Sequence, residues 1–169
     1  HVPQDPTSED VIIATNVNVP YLLQIRAIKS FGCPVIAMVR DPVHTVASYS
    51  SKRASTIPEA QVGPPPQPTH PRWKNIDFKG KTPVERRAEV WNFIAGLILE
   101  HHLPVIHYEH LIEDPSATIC KILSMTAYSC NFIPEPKQLT SGNKKDKDLD
   151  EIRDAVSRFA PNRKLLGYE

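Results

Sequence analysis

The stretch PVIAMVRDPVHTVASYSSKR, residues 34–53, decides the fold. Its first six residues are apolar, β-branched in part and not strictly alternating, as in a strand covered on both faces. Asp41-Pro42 then suits a helix start, an N-cap residue followed by proline at the first helical position. The helix is expected to run to about Arg53. Arg40 therefore stands at the carboxyl edge of a sheet, beside a helix N-terminus. A guanidinium fork gives bidentate hydrogen bonds to an anion, and a helix start adds N–H groups and partial positive charge. His44, Thr45, Ser48 and Lys52 share one face of that helix, so Ser48 can bond the anion that Arg40 pairs. The alternatives are pairing of Arg40 with Asp41 or a neighbouring carboxylate, and a polar stripe that only faces water.

Working outward, two more apolar runs read as strands, residues 11–14 (VIIA) and 104–108 (PVIHY). Helical patterns lie between them. One covers residues 20–29 and stops near Gly32. Another opens at Thr82-Pro83-Val84-Glu85, a capping box with proline in its first turn. Val84, Ala88, Trp91, Ala95 and Ile98 follow at helical spacing, widened by Ile94 and Leu97. Asp114-Pro115 starts a short helix through Ile119, Ile122 and Leu123, and Leu149, Ile152, Val156 and Phe159 mark a last one. Strands alternating with helices predict an α/β domain: a three-layer α/β/α arrangement around a central parallel sheet. Ligands in such sheets sit at the carboxyl ends of strands, here just after Val39 and Tyr108.

Composition fits one ordinary domain over residues 1–169, with 20 basic and 19 acidic residues, a net charge of +1 and 40% hydrophobic residues. A disordered polyampholyte and a nucleic-acid binder held by bulk positive charge are both excluded. No apolar run approaches the roughly 18–20 residues that span a bilayer. Proline is the outlier, at 17 residues. Six of these fall in residues 57–81, which read as a proline-rich loop or lid carrying Trp73. The sequence opens HVPQDP, without an initiator Met or a leader, as expected of a processed or excised product or of a piece whose upstream part is missing. Its three cysteines, Cys33, Cys120 and Cys130, show no metal spacing. Cys120, among Ile119, Ile122 and Leu123, reads as a buried thiol, which favours a reducing, cytoplasmic compartment.

The strand, Arg-x-Pro, and a serine eight positions after the arginine resemble the 3′-phosphate-binding segment of the sulfotransferases that use 3′-phosphoadenosine 5′-phosphosulfate. Trp91 on a long helix, then His107-Tyr108-Glu109-His110-Leu111 and Asp114-Pro115, is similar to the family's Trp, Tyr-Glu-x-Leu and x-x-Pro run. Leu166-Gly167-Tyr168 resembles the ending of many bacterial members. The resemblance implies a partial, P-loop NTPase-like sulfotransferase fold. It also implies sulfuryl transfer from that donor to a hydroxyl or amine of a small-molecule or carbohydrate acceptor, leaving adenosine 3′,5′-bisphosphate. Arg40 and Ser48 would hold the 3′-phosphate, and Tyr108 and Glu109 would act mainly in structure.

The departures from the family are specific. Its phosphosulfate loop, Pro-x-Ser-Gly-Thr-Thr, has no match among the six glycines. Where many members carry the general base of Lys-Thr-His-Leu-Pro, this chain has Asn18, an amide that positions a hydroxyl but takes no proton. Arg163-Lys164 is followed by Leu165, so the family's Arg-Lys-Gly nucleotide contact is not carried over. No catalytic residue is therefore assigned. The rival reading is a catalytically degenerate nucleotide-binding or interaction module of the same fold. The histidines at 101, 102, 107 and 110 lack metal-ligand spacing, and on a continuing strand His107 and Glu109 would share one face. Trp91 reads as core and His44 as a surface side chain.

Overall fold

A computed structural model describes residues 24–32, 34–48, 76, 78–125 and 149–169. These residues are mostly helical and carry one small parallel sheet. In chain order they form α1 (Ile25–Ser30), β1 (Ala37–Val39), α2 (Pro42–Ser48), α3 (Pro83–Glu100), β2 (Val105–His107), α4 (Tyr108–Glu113), α5 (Pro115–Met125), α6 (Leu149–Phe159) and a 3-10 helix (Pro161–Leu166). The strands pair in parallel, with Ala37 opposite Val105, Met38 opposite Ile106 and Val39 opposite His107. Parallel neighbours need a long crossover, and α2 and α3 lie on it. The arrangement is α/β. The expected strand at residues 11–14, Asn18, most of the 57–81 loop and Lys52 lie outside the described residues.

The long helix forms as its sequence dictates. Thr82 caps α3 reciprocally: the Glu85 N–H donates to Thr82 Oγ1 at 3.3 Å and the Thr82 N–H to Glu85 Oε2 at 2.8 Å. Ala88, Trp91, Ala95 and Ile98 are buried as the stripe requires, and so are Val90 and Leu97. The wider burial follows from packing: α3 lies against α6, α2 and the 3-10 helix together. Gly96 faces Asn162 of the 3-10 helix. Asn162 donates its backbone N–H to Asn92 Oδ1 (3.0 Å) and its amide N–H to the Asn92 carbonyl (3.1 Å). A Cβ on Gly96 would stand 3.2 Å from that amide nitrogen. At the other end of the helix, Phe159 is flanked by Lys81 (5.0 Å) and Arg158 (4.8 Å), and Arg158 pairs with Glu85 at 3.3 Å.

Ile152, Ala155 and Val156 of α6 are buried in the same core, with Leu149 and Phe159 packed at its margin. The core also takes Ala37 and Val39 from β1 and Val46 and Ala47 from α2. The strand-to-helix unit around Arg40 is thus set directly against the α3–α6 pair.

Two expectations change. The second strand does not reach Tyr108. It ends at His107, and Tyr108 opens α4. Glu109 in that first turn suits a helix N-terminus, and its carboxylate is turned to partners described below. His107 and Glu109 therefore do not alternate along one strand face. Cys120 is not a thiol either. It sits half-buried on α5 and is disulfide-bonded. The other two cysteines, Cys33 and Cys130, lie outside the described residues. No helix among the described residues is long and apolar enough to cross a membrane.

Candidate functional site

The carboxyl ends of β1 and β2 are neighbours, because the strands are parallel and in register at Val39 and His107. Arg40 and Asp41 leave one end, and Tyr108, Glu109 and His110 leave the other. The Arg40 guanidinium lies over the Tyr108 ring, 5.2 Å from its centroid. That contact joins the two strand ends through a cation and an aromatic face.

Asp41 caps α2 with its own side chain. Its Oδ1 accepts the His44 backbone N–H at 2.8 Å and stands 2.9 Å from His44 Nδ1. The Asp41 backbone N–H donates to Glu109 Oε1 at 2.9 Å. The helix start therefore differs from the sequence expectation: these N–H groups serve carboxylates of the chain itself. Among the described residues that leave the end of β1, the Arg40 side chain is the one that can bring a permanent positive charge to an exogenous anion. The hydroxyls of the polar stripe are likewise turned to the backbone. Thr45 Oγ1 donates to the Asp41 carbonyl at 2.8 Å and Ser48 Oγ to the Thr45 carbonyl at 2.6 Å, the usual local alternative for such side chains within a helix. Arg40 and Ser48 stand at opposite ends of α2, separated by roughly 10 Å of helical rise.

Glu109 is the hub of the rim. Its second oxygen, Oε2, accepts the Tyr168 hydroxyl at 3.0 Å. Tyr168 is held from several sides. Its ring meets His107 edge-on at 5.2 Å between centroids and Trp91 at 6.4 Å, and its backbone N–H donates to the Arg163 carbonyl at 2.9 Å. Gly167 makes the turn that brings it there, at φ 86, a left-handed conformation that favours glycine. His107 Nε2 lies 2.7 Å from the Leu166 carbonyl and closes the loop. Of the Tyr-Glu pair, Tyr108 meets the Arg40 guanidinium and Glu109 bonds Asp41 and Tyr168. Tyr168 was missed as Glu109's partner, because 59 residues separate them and no local spacing signals the contact.

The electrostatics follow from these bonds. Burial alone would raise the Glu109 carboxyl. The N–H groups of Asp41 and of Glu109 itself, the Tyr168 hydroxyl and nearby His107 outweigh it and hold the group below its ordinary value. Burial first, then the bond to Glu109 and the charges of Glu109 and Asp41, push the Tyr168 hydroxyl far above its ordinary value of 10.0. The consequence for stability has a definite sign. A phenol that ionises less readily when folded stabilises the fold below pH 10.0 and loses that contribution as the pH rises further. A carboxyl held low contributes above 4.5 and loses its contribution as the pH falls below that. Thermal unfolding followed from pH 8 to 12 is expected to show a decline above about pH 10 that Tyr168→Phe reduces. Coincident curves for the two proteins would contradict the bond to Glu109.

The remaining residues take structural places. Trp91 is buried in the core. Arg163 is turned inward, its guanidinium donating to the Val156, Ser157 and Ala160 carbonyls at 3.3–3.4 Å. His44 is exposed and tied to Asp41. Among the described residues no group of three or more His, Cys, Asp and Glu side chains is placed to hold a metal ion. No protein-family model matches the chain, and no curated protein or solved structure matches it either.

Proposed function

We propose that this chain is the nucleotide-binding part of a sulfotransferase-like protein whose donor is 3′-phosphoadenosine 5′-phosphosulfate. Arg40 and Ser48 would hold the donor's 3′-phosphate. The observation that carries the reading is the strand–Arg40–helix unit at the carboxyl rim of a parallel pair. The residues fit an anion by chemistry, since one is a permanent cation with five donors and the other a hydroxyl. Reaching a shared phosphate requires the Arg40 side chain to swing from Tyr108 along α2 towards Ser48. The donor, when bound, supplies the sulfuryl group for transfer to a hydroxyl or amine of a small-molecule or carbohydrate acceptor. The chain's own part is to bind and orient that donor, a large contribution in transfers governed by positioning and charge. The finer fold implied by this reading is a three-layer, P-loop NTPase-like sulfotransferase domain.

Calorimetric titration with adenosine 3′,5′-bisphosphate tests the reading. Arg40→Ala is expected to remove a charge-assisted contact worth about 1.5–3 kcal/mol, weakening binding on the order of ten- to a hundredfold. Binding indifferent to Arg40→Ala would refute the site. Asn18 in the position of the family's base favours a second reading, a nucleotide-binding module that does not turn over. Transfer of labelled sulfate from the donor separates the two. As to compartment, the disulfide at Cys120 removes the cysteine argument for the cytoplasm and suits an oxidising compartment better.

A further inference from the structure

We propose that Tyr168 is a positioning residue for Arg40, acting through Glu109. The two oxygens of the Glu109 carboxylate are divided between two partners. Oε2 takes the Tyr168 hydroxyl at 3.0 Å and Oε1 the Asp41 backbone N–H at 2.9 Å. A carboxylate is planar and rigid, so the hydrogen bond on one oxygen orients the other. The Asp41 nitrogen belongs to the peptide that leaves Arg40, so its direction sets where the Arg40 backbone turns out of the sheet. The guanidinium is aligned against the same segment, because it lies over Tyr108, the residue before Glu109. Main chain and side chain of Arg40 are thus both referenced to the 108–109 pair, and Tyr168 holds that pair.

Tyr168 is suited to the task because it is itself immobilised. The 3-10 helix delivers it through the left-handed Gly167, the Arg163 carbonyl accepts its N–H, and the His107 and Trp91 rings meet it edge-on. Its hydroxyl stays protonated and Glu109 stays ionised near neutrality, so donor and acceptor keep their roles.

A double-mutant cycle tests the inference. Tyr168→Phe keeps the ring and its packing and removes only the hydroxyl. Glu109→Ala removes the intermediary. Two readouts are followed: the affinity for adenosine 3′,5′-bisphosphate, and the exchange rate of the Asp41 amide proton by NMR. The binding readout rests on the donor reading above, whereas the amide readout does not. Tyr168→Phe is expected to weaken binding about three- to tenfold and to speed Asp41 exchange by a similar factor. Glu109→Ala should do at least as much, and the double variant no more than Glu109→Ala alone. Additive effects would mean that the Tyr168 hydroxyl acts independently of Glu109 and would overturn the proposal, as would an unchanged Asp41 amide in Tyr168→Phe. If the unaltered protein fails to bind the bisphosphate, the donor reading fails, and the Asp41 amide alone decides whether the relay exists.

Discussion

Trp91→Ala is expected to destabilise the protein by about 3–5 kcal/mol, the range for removing a large buried aromatic side chain. Trp91 is 6% exposed and lies at the centre of α3, inside the core built with α2, α6 and the 3-10 helix. Few neighbours can collapse into the space, because Ala88 and Ala95 on the same face are short and Gly96 is already tight against Asn162. The loss reaches the rim as well, since the indole is one of the rings that meet Tyr168. For a chain of this size a melting point lower by roughly 6–20 °C should follow. Trp91→Phe, which keeps an aromatic ring, should lose much less. A melting point unchanged in Trp91→Ala would show that the core is centred elsewhere.

Arg163→Ala is expected to cost about 2–4 kcal/mol, from a different cause. The last carbonyls of a helix lack intrahelical donors. Here the guanidinium Nη1 reaches the Ser157 carbonyl and adds a second donor to the Val156 and Ala160 carbonyls, which also accept the Ala160 and Arg163 backbone N–H groups, while its Nε reaches the Glu169 carbonyl at 3.3 Å. Arg163 is 9% exposed. Its truncation removes charge-assisted bonds from the Val156, Ser157, Ala160 and Glu169 carbonyls and leaves an unfilled space. A cation at the negative end of α6 adds to the favourable energy. Arg163→Lys should recover only part of the loss, because a lysine has no second donor nitrogen to replace the Nε that reaches the Glu169 carbonyl. Chemical denaturation of the three proteins gives the ranking. Equal stability of Arg163→Ala and the unaltered protein would show that the carbonyls are satisfied without the guanidinium.

The contrast between these two residues explains what could be read in advance. Trp91 falls on an apolar stripe of helical period, and that period is a statement about neighbours three and four positions away. Arg163 is a charged residue in a polar stretch and carries no such mark. Its partners lie within seven residues, yet the contact exists only because the chain turns after Phe159 and folds back over the end of α6. The strand before Arg40, the Asp41-Pro42 start and the Thr82–Glu85 capping box were readable for the same reason as Trp91. The stop at His107 was not, because Val105, Ile106, His107 and Tyr108 would equally continue a strand. It ends where Tyr108 opens α4, whose Glu109 carboxylate has two partners from distant parts of the chain.

Local chemistry in residues 34–53 and 82–100 was therefore enough to specify the strand, the helices, their starting points and the place of Arg40 at a sheet rim. Hydrogen bonding and side-chain packing over three or four positions dictate those features wherever the segment sits. The pairing of Glu109 with both Asp41 and Tyr168, the inward turn of Arg163, and the commitment of the α2 start to the chain's own carboxylates arose only on folding. Such contacts bridge up to 68 residues. The entropy of closing loops that long is offset only by the buried core as a whole, so no short stretch of sequence encodes them.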